Sequence, residues 1–318
     1  MTRDILVAGE TLIDFLPEHP GPISGVERFD RRAGGAPANV AVALERLERT
    51  PLFWTRVGED PFGRYLVEAL ANHGLPERFV ERDPDAKTTL AFVTHDETGD
   101  REFSFYRDDT ADTRLEPGRI DDATLEGLEW VHAGGVALST GTSREATLDL
   151  LERAAASDCT VSFDPNARPE LWPDGEFREV VREALAHVDV LKAAEEELEA
   201  LGFAGDDVEG MARDALALEE GPSTVLATRG GEGALAVAGE GAPWSGTAGH
   251  SGYEADVVDT TGAGDAFVAG AIAALSDGAD LEETLEFANA VGATATTAAG
   301  AMTALPDREA VRAIRSAE

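Results

Sequence analysis

The segment Asp259-Thr260-Thr261-Gly262-Ala263-Gly264-Asp265-Ala266-Phe267 carries the strongest chemical signal in the chain. It follows a strand-like run, Ala255–Val258, and opens a helical pattern that continues through Val268 and Ala273. Glycines at a helix start let successive backbone N–H groups turn toward one point. There the unpaired donors and the helix dipole favour an anion, above all a phosphate. Asp265 stands beside that anion pocket, where a second negative charge is ordinarily unwelcome. A carboxylate fits there as the base that takes the proton of a hydroxyl attacking phosphorus. The plainer reading makes Asp265 a helix N-cap and the glycines a tight turn.

A second glycine-rich helix start lies far upstream, at Ala33-Gly34-Gly35-Ala36-Pro37-Ala38-Asn39-Val40-Ala41. Pro37 suits a first helical turn, and Val40, Ala43, Leu44 and Leu47 form an apolar stripe. Gly34 and Gly35 bring bare backbone close to a ligand. Asn39 can both donate and accept, as a sugar hydroxyl requires. Other motifs are missing. G-x-x-x-x-G-K-[ST] does not occur, Phe267 breaks any G-x-G-x-x-G reading, and H-E-x-x-H is absent with the six histidines scattered.

Elements able to position these residues alternate along the chain. Strand-like runs occupy Asp4–Ala8, Leu52–Val57, Trp130–Ala133, Thr160–Asp164, Val188–Lys192, Thr224–Thr228 and Ala234–Ala238. Helical patterns cover Pro37–Leu47, Pro61–Asn72, Thr142–Ala155, Glu176–Ala186, Val208–Leu218, Ala266–Leu275, Leu281–Ala298 and Arg308–Ser316. This alternation predicts an α/β fold with a mostly parallel sheet sandwiched by helices. One region departs from it. Thr88–Thr94 and Arg101–Arg107 flank the turn chemistry of Asp96-Glu97-Thr98-Gly99-Asp100, which predicts an antiparallel hairpin. Such a hairpin is either a lid over a site or an ordinary edge.

Composition narrows the function classes. The 318 residues contain 62 Asp+Glu against 26 Lys+Arg, a formal net charge of −36, with 43% hydrophobic residues. That hydrophobic share is enough for a full core, so the acidity does not mean disorder. Scarce basic residues argue against nucleic acid. The lack of a long apolar run argues against a membrane partner and a signal peptide. The lone Cys159 forms no internal disulfide, and the expected location is cytoplasmic. Only Lys87 and Lys192 are lysines; the other 24 basic residues are arginines. Compact carboxylates in place of long lysine stems suggest a highly saline cytoplasm. At about 1 M salt the Debye length is roughly 3 Å and their repulsion is screened.

The two glycine-rich segments, found in this order, resemble the signatures of the PfkB family of ribokinase-like sugar kinases. The likeness runs from near residue 5 to about residue 305. It implies one kinase domain over 1–318, with a small β-sheet lid from segments near 10–32 and 88–110. It also implies transfer of the γ-phosphate of ATP to a sugar hydroxyl, with Mg²⁺ and, in many relatives, K⁺. A homodimer through the lid is common among relatives. Carried onto this chain, the pattern makes Asp265 the base and the amides of Gly262, Ala263 and Gly264 the anion hole. Asp14, with Gly34, Gly35 and Asn39, would bind the sugar. Thr228, Gly230 and Gly233, in a T-x-G-x-x-G-like turn, and Asn289 would face the nucleotide. Asp259 and Thr261 match a K⁺ position. Relatives often carry N-x-x-E where this chain has Ala194-Glu195-Glu196-Glu197. Glu197 keeps the magnesium role, and Lys192 is the candidate for the phosphate contact that the missing amide leaves open.

Two arginine segments bear on the sugar. Phe105-Tyr106-Arg107 and Asp164-Pro165-Asn166-Ala167-Arg168-Pro169-Glu170-Leu171-Trp172 resemble the branch of fructokinases and 2-keto-3-deoxygluconate kinases. Arg107 and Arg168 together would suit a keto-acid carboxylate. Equally, they could face ATP phosphates, or lock the lid through acids such as Asp112. The G-E-x-L-I-D start and A-G-G-A-P-A-N resemble fructokinases more closely. Fructose is therefore the first expectation, the keto-deoxy sugar acid the second, and ribose or a nucleoside the third. A sugar-sensing, catalytically inactive protein is the alternative of another class; it would call for loss of the base or the glycines, and both are intact.

Overall fold

The computed structural model describes residues 4–95, 101–173 and 175–316, with backbone only at His95, Arg101 and Glu102. The turn expected at residues 96–100 lies outside the described residues.

Strands β1 (Ile5–Ala8), β4 (Leu52–Gly58) and β8 (Trp130–Gly134) are apolar runs buried along almost their whole length. Such runs suit a parallel sheet covered on both faces. With β5 (Val80–Asp83), β9 (Thr160–Asp164), β10 (Val190–Ala194), β11 (Thr224–Thr228), β12 (Ala234–Ala238) and β13 (Gly246–His250), they build one nine-stranded sheet. Its order is β13-β12-β11-β10-β9-β8-β1-β4-β5. Pairing is parallel from β5 to β11 and antiparallel at β12 and β13.

Helices cover both faces, each with its own core. Ala36–Arg46, Pro61–Asn72, Ala263–Ser276, Leu281–Ala295 and Arg308–Arg315 pack one side, through Leu44, Leu66, Ile272, Leu285 and Val311. Thr142–Ala156, Glu176–Leu185 and Val208–Leu216 pack the other, through Leu150, Val181 and Met211. Asp60 caps the helix Pro61–Asn72, taking the N–H groups of Phe62 and Gly63 at 2.9 Å. A cap of this kind contributes about 1 kcal/mol.

A separate four-stranded sheet, ordered β3-β2-β6-β7, joins β2 (Leu12–Pro17), β3 (Phe29–Gly34), β6 (Leu90–His95) and β7 (Arg101–Tyr106). The expected hairpin is present, β6 pairing antiparallel with β7, and β2 and β3 extend it. Its strands alternate faces. Asp14, Phe103 and Phe105 line a cavity above the large sheet. Phe15 and Phe92 stack on each other at 4.8 Å, and Phe92 also meets Tyr106 at 5.5 Å. The hairpin is thus a cover over a cavity.

Ala255–Val258 does not form the expected strand. No sheet edge reaches it, Val257 and Val258 are exposed, and the N–H groups of Val258 and Asp259 donate to the Thr296 carbonyl. The helix after it starts three residues earlier than expected, with Gly262 at its N-cap. Asp265 therefore lies within the first turn and is not the cap.

Candidate active site

The carboxyl ends of the central parallel strands point to one edge of the large sheet, where α/β proteins bind ligands. Glu10 follows β1, Val136 follows β8, Asp164 ends β9 and Ala194 ends β10; all four line a cavity of about 300 Å³ beneath the small sheet. A second cavity, of about 350 Å³, opens beside it between the ends of β11 and β12 and the helices Ala263–Ser276 and Leu281–Ala295. Thr260 and Gly264 line both cavities. A group passing from one to the other would cross the N-terminus of the helix Ala263–Ser276.

Gly262, Gly264 and Asp265 of that N-terminus line the first cavity. Gly262 adopts φ 79°, a left-handed conformation that favours glycine, and turns the chain into the helix. Of the N–H groups that follow, that of Ala263 donates to the Thr260 carbonyl at 3.3 Å, while those of Gly264 and Asp265 lie in the first turn, ahead of the carbonyls that a helix supplies. Asp265 Oδ2 accepts a 2.7 Å hydrogen bond from Asn39 Nδ2. Burial pushes the Asp265 carboxyl up to about 6, although the Asn39 bond works in the opposite direction. A base with that value is ionised at neutral pH yet basic enough to accept a hydroxyl proton.

Asp14 lies on β2 opposite Arg32 and reaches the same cavity. Burial pushes its carboxyl up to about 7, against the pull of Arg168. Gly34 is not itself in the cavity wall; a Cβ there would stand 1.9 Å from Asp14 Oδ2, so its missing side chain makes room for this carboxyl. Gly35, at φ 105°, lets the backbone pass the Glu10 carbonyl, where a Cβ would come within 2.5 Å. Asn39 lines the cavity and its Oδ1 is buried without a partner.

The two arginines separate. Arg168 lines the cavity, donates to the Ala167 carbonyl at 2.8 Å and sits over the Phe103 ring. Arg107 does not line it. Its guanidinium binds Asp112 at 2.6 Å, Ser139 Oγ at 2.7 Å and the Val136 carbonyl at 3.3 Å, and its side chain is 2% exposed. Of the roles expected for Arg107, the geometry matches the lock onto Asp112, where the small sheet rejoins the body, and not a place in the cavity wall. Asp112 also binds Thr89 and Thr110, which fixes the lock from both neighbouring segments.

Lys192, the candidate phosphate contact, lies on the first cavity, which shares Thr260 and Gly264 with the second. Thr228, Gly230, Gly233 and Asn289 do line the second cavity. Asn289 is buried on its helix and donates to the Leu285 carbonyl at 2.8 Å. Gly233 adopts φ 82°, and a Cβ there would come within 2.0 Å of the His250 carbonyl. Both carboxyl oxygens of Glu197 are engaged, taking the N–H of Ala167 at 2.7 Å and of Ala194 at 2.8 Å. Asp259 accepts the N–H and hydroxyl of Thr261 on one oxygen and the N–H of Gly300 on the other.

Sequence reasoning did not single out Glu10 as a site residue. It is 3% exposed, accepts the Ala36 N–H at 3.2 Å, and has its other oxygen buried without a partner. Burial pushes it up to about 7. Its position two residues past a buried parallel strand was the available signal.

A family model for pfkB family carbohydrate kinases matches residues 2–308. The chain belongs to this family. Fructokinase from Klebsiella pneumoniae is 38% identical over 317 residues, which span 97% of this chain and 98% of the relative. A fructokinase from Xylella fastidiosa, solved with bound ATP, superposes with a TM-score of 0.88 at 33% identity, over 100% of this chain and 99% of its own. A Vibrio cholerae fructokinase double mutant, solved with fructose, ADP and potassium, gives 0.81 at 33% identity, over 98% and 97%. The kinase is thus a phosphotransferase with an alcohol acceptor. Among its described residues no helix is long and apolar enough to cross a membrane.

Proposed function

We propose that this carbohydrate kinase is a fructokinase that transfers the γ-phosphoryl group of ATP to a fructose hydroxyl. The observation that favours fructose over a keto-acid is the sequestration of Arg107 by Asp112, Ser139 and Val136. It leaves Arg168 facing Glu10, Asp14 and Asp265 across the cavity, a setting that suits hydroxyls and disfavours a second carboxylate. The fructokinases among the relatives support the same reading. Arg168 and Lys192, the cations on this cavity, are the features that favour 2-keto-3-deoxygluconate instead.

In this account Asp14 and Asn39 hold sugar hydroxyls, with Gly34 and Gly35 making room. Asp265 takes the proton of the attacking hydroxyl, and the amides of Gly262, Ala263 and Gly264 receive the charge on the transferring group. Preorganised donors placed where charge develops are usually the largest catalytic term. Thr228, Gly230, Gly233 and Asn289 hold the nucleotide in the second cavity.

Mg²⁺ would neutralise the nucleotide phosphates, and it commonly keeps its waters and binds through substrate phosphates. Glu197 fits an indirect role in holding it, since both its oxygens already take backbone N–H groups. Asp259 and Thr261 offer adjacent oxygens for K⁺. On its other face the lid carries Phe15, Phe29, Phe92 and the exposed Tyr106, an aromatic patch suited to a second copy of the chain. The acidic, lysine-poor composition fits work in concentrated salt.

The test is ADP release by purified protein in molar KCl with Mg²⁺, ATP and a sugar panel. Fructose-dependent release is expected. If no sugar in the panel elicits ADP release, catalysis is excluded and a sugar-sensing role is favoured.

A further inference from the structure

Lys192 and Lys87 are the chain's two lysines, and the fold treats them oppositely: Lys87 is exposed and Lys192 is drawn into the cavity wall. The Lys192 side chain is 12% exposed, and its Nζ donates to Asp164 Oδ2 at 2.9 Å; the Asp164 side chain is 7% exposed. That bond uses one of the three donors of an ammonium. A Cβ at Gly264 would stand 3.6 Å from Nζ, so the charge lies against the anion-hole turn. Lys192 and Ala194 share one face of β10, and Ala194 also lines the cavity. Burial pulls the lysine pKa down, but Asp164, Glu197 and Asp265 outweigh it and raise the pKa, so the group stays charged.

We propose that Lys192 is a catalytic residue whose ammonium contacts the γ-phosphoryl oxygens as the group passes Gly264, with Asp164 as the residue that positions it. The proposal rests on the kinase reading above. In the step it serves, the sugar oxygen forms a bond to phosphorus and its proton goes to Asp265. The bond from phosphorus to the bridging oxygen of ADP breaks. Lys192 keeps its proton throughout and supplies fixed positive charge where the equatorial oxygens spread theirs. A lysine serves as a point charge here, and nothing in the geometry demands the fork of an arginine.

The alternative is that Lys192 merely neutralises a buried Asp164. The two are separated by comparing wild type with Lys192→Met, Lys192→Arg, Asp164→Asn and the Lys192→Met/Asp164→Asn pair. The paired variant removes both charges and guards against an unpaired buried carboxylate that unfolds the protein. Thermal melting in the same KCl checks each fold. Lys192→Met and the paired variant are expected to lose about 10²–10³ in kcat, the range for removing one such donor. Their KM values are expected to change by less than about threefold.

Affinity for ADP with aluminium fluoride and sugar should fall in parallel with kcat, while affinity for ADP alone stays level. Lys192→Arg should recover part of the rate. Asp164→Asn should cost rate in wild type and nothing further in the Lys192→Met background. The proposal is overturned if the folded paired variant keeps kcat within about threefold of wild type. It is equally overturned if ADP alone loses affinity as much as the aluminium fluoride complex does. Sugar-dependent ADP release by wild type is the control, because its absence would instead bring down the kinase reading itself.

Discussion

Asn39 and Asp265 are 226 positions apart in the chain, yet the asparagine Nδ2 donates to the aspartate Oδ2 at 2.7 Å. The bond joins the first turns of two helices that pack against each other. It occupies one carboxyl oxygen and leaves the other to meet a hydroxyl. A base held by a third group is the general arrangement for activating a nucleophile.

Asp265→Asn removes the proton acceptor and keeps the shape. Sugar-dependent ADP release should fall by at least 10²-fold, roughly the lower bound for losing a general base, while ATP affinity by calorimetry stays near wild type. Retention of more than about a tenth of kcat would rule out Asp265 as an obligatory base.

The acid limb of the pH–rate profile should reflect the carboxyl that burial pushes up to about 6. The base must be ionised to work, so activity rises with pH through that value. The Asn39 bond favours the ionised form, and its loss in Asn39→Ala should raise the pKa and move the limb to higher pH. A limb that stays in place while only KM for sugar rises would assign Asn39 to substrate binding alone.

Glu10 should make stability depend on pH in the sense opposite to an ordinary salt-bridged acid. Its folded pKa, about 7, is raised by burial above the ordinary carboxylate value of 4.5. Its contribution is therefore fully present below the unfolded value and is lost as pH rises through the folded one. Glu10→Gln, which cannot ionise, should melt above wild type at pH 8 and close to it at pH 4.5. A difference in Tm that is the same at both pH values would contradict this.

The net charge of −36 poses a problem for a protein that binds a polyanion. The site answers it locally, with helix-terminus amides, Arg168 and Lys192 in the cavity wall. Screening of the remaining carboxylates is left to salt. Lowering KCl should weaken ATP binding and thermal stability together. If ATP affinity improves steadily as salt is removed from protein that remains folded, salt screening has been given the wrong role.

The large sheet was legible because its central strands are short apolar runs between helical patterns, and Thr160–Asp164, Thr224–Thr228 and Ala234–Ala238 match residue for residue. The small sheet was legible only in part. Its β6–β7 hairpin carries turn chemistry, whereas β2 and β3 are half-exposed strands separated by a segment with Pro20 and Pro22. β5 is four residues long with three charged, and β13 has glycine at two of its five positions, so neither shows a hydrophobic period. Ala255–Val258 misled in the other direction, being apolar enough for a strand but without an edge to join. Within the site, Asp265 and Asn39 could be singled out from the glycine-rich helix starts that carry them, and Asp14 only through the family resemblance. For Arg107 the lock onto Asp112 was one of several open readings, decided only when the fold brought in Ser139 and Val136, and Glu10 was missed because its partner, the N–H of Ala36, comes from a distant segment.

The most direct test is kcat/KM for fructose against 2-keto-3-deoxygluconate, measured in the same KCl, Mg²⁺ and ATP. With Arg107 locked onto Asp112 and three carboxyls facing the substrate, fructose should be preferred by at least tenfold, about 1.4 kcal/mol of discrimination in the transition state. Equal values, or a preference for the sugar acid, would contradict the account.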